Sequence, residues 1–401
     1  MMNSKLIGGI LLVVGTTIGA GMLALPLVTA GLTFWGSLVL LISIWALMTT
    51  CAFLFLEVNL ALPQNSNLIS MAGITLGKFG QIITWIVYLF LLYSVLSAYI
   101  SGAGDLFHYL LATYGINLPL SVASILITAL LGSVVYFGIR SVDYVNRMLM
   151  LGKLSALFLL VILISPFISF NHLSGVGSKI TLSPSSITVT AVAFGSLMII
   201  PSLRDYFEED IQALRKAILI GTFIPLICYI AWEAVILGVI PWQGDPGLQN
   251  ISHSTTSSSD LIAALAFLIH NQLIAILAKF FTSICMLTTF LSISLSLSDF
   301  LADGLRIKKQ GKGKIIVFAA TFMPPILIAL FCPGAFIYGL SYAGIGVFIL
   351  MILLPALMTW RGRYHTRLMQ SPYQVSGGKF LLAMLLVFAT LMIGFGLDGA
   401  I

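Results

Sequence analysis

Gly15-Thr16-Thr17-Ile18-Gly19-Ala20-Gly21-Met22-Leu23 stands in the middle of the first apolar run, which extends from about Leu6 to Thr29. The run is long enough to cross a bilayer as a helix, for which roughly 20 apolar residues suffice. Yet its centre holds glycines at 15, 19 and 21 and threonines at 16 and 17, and Pro26 follows. Each glycine costs about 1 kcal/mol of helix stability relative to alanine. A helix broken in hydrocarbon exposes amides and carbonyls that no water satisfies, so the break must line a cavity or pack on protein. Two readings follow. The small residues let a neighbouring helix approach closely, a spacing that Gly15-Thr16-Thr17-Ile18-Gly19 fits. Or the break is a midplane binding site, as in many secondary transporters.

Composition sets the class. Apolar residues make up 59% of the 401 and charged residues only 8%, which no soluble globular chain shows. The expectation is an all-α polytopic membrane protein, with the net charge of +6 reflecting loop lysines and arginines rather than nucleic-acid binding. Apolar runs fall near 6–28, 34–61, 81–111, 119–138, 148–169, 185–203, 217–240, 272–302, 315–331, 335–359 and 380–400, or about eleven helices. The third and eighth exceed a perpendicular crossing, so they tilt or project past the bilayer. The start, Met1 to Lys5, reads as the head of a retained span rather than of a cleaved signal.

Loop charges set the orientation. With the N-terminus in the cytoplasm, the loop lysines and arginines from Lys5 to Lys379 fall inside, Arg140, Arg147 and Arg367 among them. Only Lys179 is left outside, and Lys153 and Lys279 lie within apolar runs. The C-terminus is then external. Gly244 to Asp260, without Lys or Arg, reads as an external loop leading into an interfacial helix, Leu261 to Ile269. Arg204 to Lys216 reads as a short cytoplasmic surface helix.

A second break is expected at Ala193-Phe194-Gly195-Ser196 in the sixth run, with Pro201 beyond it. The breaks are five spans apart, so their helices cross in opposite directions. That is the requirement of an inverted repeat, with 1–170 as the first half, 184–360 as the second and 380–401 as an added helix.

Gly15 to Pro26 (GTTIGAGMLALP), Trp45-Ala46-Leu47-Met48, Leu56-Glu57-Val58, Ala98 to Gly104 (AYISGAG), Tyr342-Ala343-Gly344 and Leu354-Pro355 resemble bacterial permeases of the hydroxy and aromatic amino acid family. The likeness covers nearly the whole chain and is strongest to the family's tyrosine-specific members. It implies a LeuT-type 5+5 fold with helices 1 and 6 broken, in the bacterial inner membrane. It also implies uptake of an aromatic amino acid, tyrosine first, together with protons. One departure stands out: where the family carries Phe-His after the span-six glycine, Ser196 and Leu197 follow Gly195.

A zwitterion needs donors for its carboxylate and acceptors for its amine, which two opposed half-helix ends supply. On the resemblance, Thr16, Thr17, Ile18, Gly19, Ala20 and Gly21 contact these groups mainly through backbone, helped by Ala193, Phe194, Gly195 and Ser196. Phe194, Tyr93 and Tyr342 are candidates to stack on an aromatic substrate, although most of the 26 Phe and 13 Tyr must serve packing and interfaces. Proton-driven relatives in the wider superfamily place a span-five lysine where sodium-driven ones hold an ion against span-eight hydroxyls. Lys153, Thr288 and Thr289 fit that pattern, with Lys153 aimed at the carbonyls of Gly15 and Ile18 and at the two hydroxyls. Snorkelling to the headgroups is the alternative for Lys153.

Glu57 is a candidate gate residue or a headgroup-level carboxylate, and Glu233 a locally hydrogen-bonded one. Asp299, Asp303 and Arg306 read as an ion-pair cluster. The four cysteines are far apart and the five histidines scattered, so no metal or cofactor is expected. No nucleotide-binding loop is present, and no catalytic pair favours an intramembrane enzyme. A channel is disfavoured by breaks in opposed halves.

Overall fold

The apolar runs become helices laid end to end, and in the computed structural model every regular element among the described residues is helical. The described residues are 4–64, 66–137, 139–174, 181–208, 210–332, 334–366 and 373–398, with the side chains of 4, 139–147 and 398 excluded. Met1, Lys179, Arg367 and positions 399–401 therefore lie outside them, as do the side chains of Arg140 and Arg147.

The first run forms α1 (Ser4–Thr17) and α2 (Gly21–Thr29), parted at Ile18–Ala20. A tight turn at Ala30–Leu32 leads into α3 (Thr33–Ala61). Asn67 accepts the Ser70 N–H at 2.9 Å and caps α4 (Leu68–Thr113), whose 46 residues bend at Gly77, where φ is +82°. Only glycine enters that region without strain. The bend precedes the third run, which itself continues as unbroken helix longer than a perpendicular crossing needs. Next come α5 (Leu120–Phe137), α6 (Ile139–Ile164) and the short α7 (Phe170–Ser174).

The sixth run is also split. Ser183 and Ser186 form a reciprocal cap with Pro184 at the first position of α8 (Pro184–Ala193). The chain then loosens through Phe194, Gly195 and Ser196 before α9 (Ile200–Phe207). Glu208 takes a left-handed φ of 55°, and Asp210 caps α10 (Ile211–Val239) by accepting the Ala213 N–H at 2.9 Å. These two residues place a turn inside Arg204–Lys216, so the expected single surface helix is instead the junction of α9 and α10.

Beyond α10 lie α11 (Leu248–Ser252), α12 (Ser257–Ile269), α13 (Gln272–Gly304), α14 (Lys312–Phe331), α15 (Ala335–Val347), α16 (Leu354–Tyr364) and α17 (Gly378–Asp398). The expected interfacial helix is α12. Asp105 of α4 holds its first turn, accepting the Ser259 N–H and Oγ–H at 2.8 and 2.5 Å. Asp299 pairs with Lys309 rather than Arg306, because Arg306 sits at a left-handed φ of 54° just past the end of α13.

Among the described residues ten helices are long and apolar enough to cross a membrane. The first of these, Gly21–Ala61, passes through the Ala30–Leu32 turn, while Lys5–Thr17 stands apart as a shorter apolar helix. Burial separates centre from periphery: 67% of the apolar window of Pro184–Phe207 is buried, against 22% for Gly378–Leu397. The apolar window from α15 to α16 is 72% buried, so it is central together with α2 and α8, while α14 and α17 face outward.

Candidate functional site

At the first break the α1 ladder ends where the Ile18 N–H meets the Val14 carbonyl at 2.9 Å. The chain re-enters α2 through tighter bonds, from the Met22 N–H to the Gly19 carbonyl at 3.2 Å and from the Leu23 N–H to the Ala20 carbonyl at 3.0 Å. The last carbonyls of α1 and the first N–H groups of α2 are thereby freed, a negative and a positive helix end side by side. Three side chains reach them. Lys153 Nζ of α6 donates to the Ile18 carbonyl at 2.5 Å. Thr289 Oγ1 of α13 accepts the Ala20 N–H at 2.9 Å. Tyr229 Oη of α10 lies 2.8 Å from the Thr17 carbonyl.

Tyr229 also joins the second break, where its Oη lies 2.9 Å from the Ala193 carbonyl. A phenol carries one proton, so the two carbonyls share a single donor. The breaks are close enough that a methyl on Gly21 would stand 3.5 Å from the Ala193 Cα. Phe194 is buried edge-on against the Tyr229 ring, centroids 5.1 Å apart. Among the described residues no partner claims the Gly19 N–H, while the Gly21 amide faces the hydroxyl of Tyr99 on α4.

The structure brings Thr17, Ile18, Gly19, Ala20, Gly21, Ala193, Phe194, Lys153 and Thr289 together. The threonine hydroxyls of α1 turn back on their own helix: Thr16 to the Leu12 and Val13 carbonyls and Thr17 to the Val13 carbonyl at 2.7 Å. What the break offers is therefore backbone. Gly195 and Ser196 follow at the loosened turn, with Ser196 buried and its N–H on the Phe194 carbonyl at 2.8 Å. Lys153 is 3% exposed and does not snorkel. Its reach differs from the expectation. Thr288 donates into its own helix at Ile284, and Thr289, besides accepting from Ala20, donates to the Cys285 carbonyl, so Lys153 is left with the Ile18 carbonyl.

Two expected aromatics stand elsewhere. The Tyr93 hydroxyl donates to the Ala320 carbonyl of α14 at 2.7 Å, and Tyr342 is exposed on α15. The tyrosine hydroxyl that joins the two breaks is that of Tyr229, which sequence reading did not single out. Glu57 is fully buried within the protein: Arg363 donates to its two oxygens at 2.6 and 2.5 Å, and the Val375 N–H adds a third bond at 2.8 Å. Lys279 lies over the Tyr109 ring, 4.8 Å from its centroid.

A paired break of this kind, with a buried lysine on one exposed carbonyl, suits recognition of a small zwitterion. Sequence comparison agrees, since residues 2–395 match the tryptophan/tyrosine permease family. The chain belongs to that family. It is a multi-pass membrane transport protein and not an enzyme, as the permease family description and the apolar helices together show. The permease is 36% identical to the tyrosine-specific transport system 1 of Haemophilus influenzae, over 97% of this chain and 96% of the relative. It is 32% identical to glutamine transporter 2 of Aliivibrio fischeri, over 98% and 99% of the respective chains. Among solved structures, a manganese transporter of Eremococcus coleocola shares the fold at a TM-score of 0.66 and 12% identity, covering 99% of this chain and 86% of that one.

Proposed function

We propose that the permease imports an aromatic amino acid, tyrosine first, by proton symport with alternating access across the bacterial inner membrane. The observation that carries this reading is the pair of helix breaks set against each other, with Lys153 on the Ile18 carbonyl of the first. The free Gly19 N–H and its neighbours receive the substrate carboxylate, and the α1 and α8 carbonyls receive its amine. Phe194 and Tyr99 bound the side-chain space, and Ser196 with Leu197 leaves it open enough that tryptophan is the nearest competitor. A second reading, a smaller neutral amino acid, is favoured by the glutamine carrier among the relatives.

In this scheme the Lys153 ammonium stands where a sodium ion would otherwise bind, tying α1 to α6. Losing its proton weakens that tie and favours release to the cytoplasm. Eleven crossings, a 5+5 inverted repeat and a cytoplasmic N-terminus complete the proposal, with lipid as the surrounding partner.

Uptake of labelled tyrosine, tryptophan, phenylalanine, serine and glutamine into proteoliposomes, under a pH gradient and separately a sodium gradient, tests it. Tyrosine should accumulate with acid outside and need no sodium. Lys153→Ala should abolish accumulation while sparing exchange. Sodium-dependent uptake, or accumulation by the alanine variant, would reject the coupling. Competition by glutamine or serine but not by aromatics would reject the substrate.

A further inference from the structure

Glu233 lies near the end of α10, on the far side of the breaks from Lys5, and none of it is exposed. Its Oε1 is 2.8 Å from Thr29 Oγ1, the last residue of α2, and its Oε2 has no hydrogen-bond partner. Thr29 Oγ1 is also 2.8 Å from the Leu25 carbonyl, and the Ser37 hydroxyl donates to the Thr29 carbonyl at 3.1 Å.

The hydrogens around Thr29 can be counted. Its hydroxyl has one proton and two neighbouring oxygens, Leu25 O and Glu233 Oε1. If the proton goes to Glu233, a carboxylate with one hydrogen bond is sealed in an apolar interior, which is very costly. If it goes to Leu25, the Glu233 carboxyl must be protonated and donate to Thr29 Oγ1. Every hydrogen then has an acceptor and no charge is buried.

Among the described residues no nearby group offsets a charge. Neither α2 nor its following turn carries an ionisable residue. On α7, His172 sets Nδ1 on the Gly238 carbonyl at 3.2 Å, more than a turn beyond Glu233. Lys153 of α6 is committed to Ile18. Lys5 of α1, Glu57 of α3, Arg204 and Asp205 of α9, and Arg215 and Lys216 of α10 itself belong to the opposite end. Among the described residues none of these is hydrogen-bonded or ion-paired to Glu233.

We propose that Glu233 is a second proton-binding site, loaded from outside, whose protonation lets the half-helix α2 close against α10. This rests on the transport reading and its topology, which put α2 and Glu233 in the outer half. An ionised Glu233 needs water, and water reaches it only when α2 has swung away. Closure of the outer side therefore takes up a proton, so acid outside favours closing and rising pH opposes it. The site is separate from Lys153: it sets how readily the carrier closes, not how far it can accumulate.

The test is equilibrium exchange of labelled tyrosine in proteoliposomes with equal pH on both sides, at about pH 6 and about pH 8, which span the outcome for a single carboxyl exposed and then buried. Wild type should exchange at least about fivefold faster at the lower pH, and Glu233→Gln, shaped like the neutral acid, should bring that ratio to about 1. His172→Gln should keep the wild-type ratio. An unchanged ratio in Glu233→Gln, or its loss in His172→Gln alone, overturns the proposal. Infrared spectra of purified protein without substrate supply a readout independent of transport. A protonated-carboxyl band should be present in wild type, absent in Glu233→Gln, and moved to the position of a free acid in Thr29→Val. If wild type lacks that band the proposal fails, even where Glu233→Gln proves inactive. If the wild type exchanges none of the amino acids tested, the transport reading fails while the band still decides whether Glu233 holds a proton.

Discussion

Gly19 has no side chain, and the space beside it is taken by the Thr289 hydroxyl, which a methyl at Gly19 would meet at 2.8 Å. That hydroxyl is also the acceptor for the Ala20 N–H, so Gly19→Ala must push away the group that pins the start of α2. An amide left unsatisfied costs about 1–3 kcal/mol, so uptake should fall of order tenfold with the protein still inserted and monodisperse. Thr289→Ala loses the same bond. The double variant Gly19→Ala/Thr289→Ala should then do no worse than Gly19→Ala alone, because the clashing atom is gone. Losses that multiply across the two sites would show that the glycine acts elsewhere. Residues at this scale were unevenly legible. Gly19, Gly21 and Lys153 stand out because glycine and lysine are expensive inside an apolar run. Tyr229 and Tyr99 do not, since tyrosine is common in such runs and only the fold shows which hydroxyl meets a broken helix. A mid-span tyrosine that must find a hydrogen-bond partner was the available signal.

Between elements, a buried polar joint fastens α3 to α16. The Glu57 carboxylate accepts from Arg363 twice and from the Val375 N–H, and Tyr373, two residues before Val375, stacks on Arg215 of α10 at 4.2 Å. Burial lifts the Tyr373 phenol above its ordinary value, against the opposing pull of Arg215. Tyr373 and Val375 are thereby held on α10 and α3. Removing one partner strands a buried charge, so Arg363→Ala should cost about 3–5 kcal/mol, seen as a lower unfolding temperature in detergent. Replacing both, as Glu57→Gln/Arg363→Met, should recover most of that loss, since a buried pair adds little over apolar packing. A double variant no more stable than Arg363→Ala would mean that the joint holds position through the arginine alone. Helix positions were read well from run length, and the breaks from glycine and proline. The partner of Glu57 was not, because Arg363 is 306 positions away and no local periodicity links them. The turn at Glu208 was missed for the opposite reason: Arg204 to Lys216 has a helical composition, and one capping aspartate, Asp210, redirects it.

For the whole molecule, what matters is the parity of the crossings. Two breaks five spans apart face each other across the centre only if their helices run in opposite directions, and the two halves then present opposite helix ends to one substrate. Gly21 packs on Ala193 and Tyr229 lies between the Thr17 and Ala193 carbonyls, so the two breaks meet, and the opposed directions belong to the proposed repeat. Parity also makes a prediction that needs no engineered site. Cys332 caps α14 and is exposed, whereas Cys51 and Cys285 are buried and Cys228 sits within α10. If α14 is the ninth crossing from a cytoplasmic N-terminus, it ends outside and Cys332 meets the external solution. A thiol reacts as its thiolate, which forms readily in water and poorly among lipid tails, so Cys228 should remain silent. A membrane-impermeant maleimide added to intact spheroplasts should label the wild type, and Cys332→Ser should remove the label. The same reagent on inside-out vesicles should find little. Labelling confined to the inverted vesicles would reverse the orientation and place Glu233 and α2 on the cytoplasmic side. The proton bound at Glu233 would then be drawn from the cell, and acid inside rather than outside would favour closure of that half.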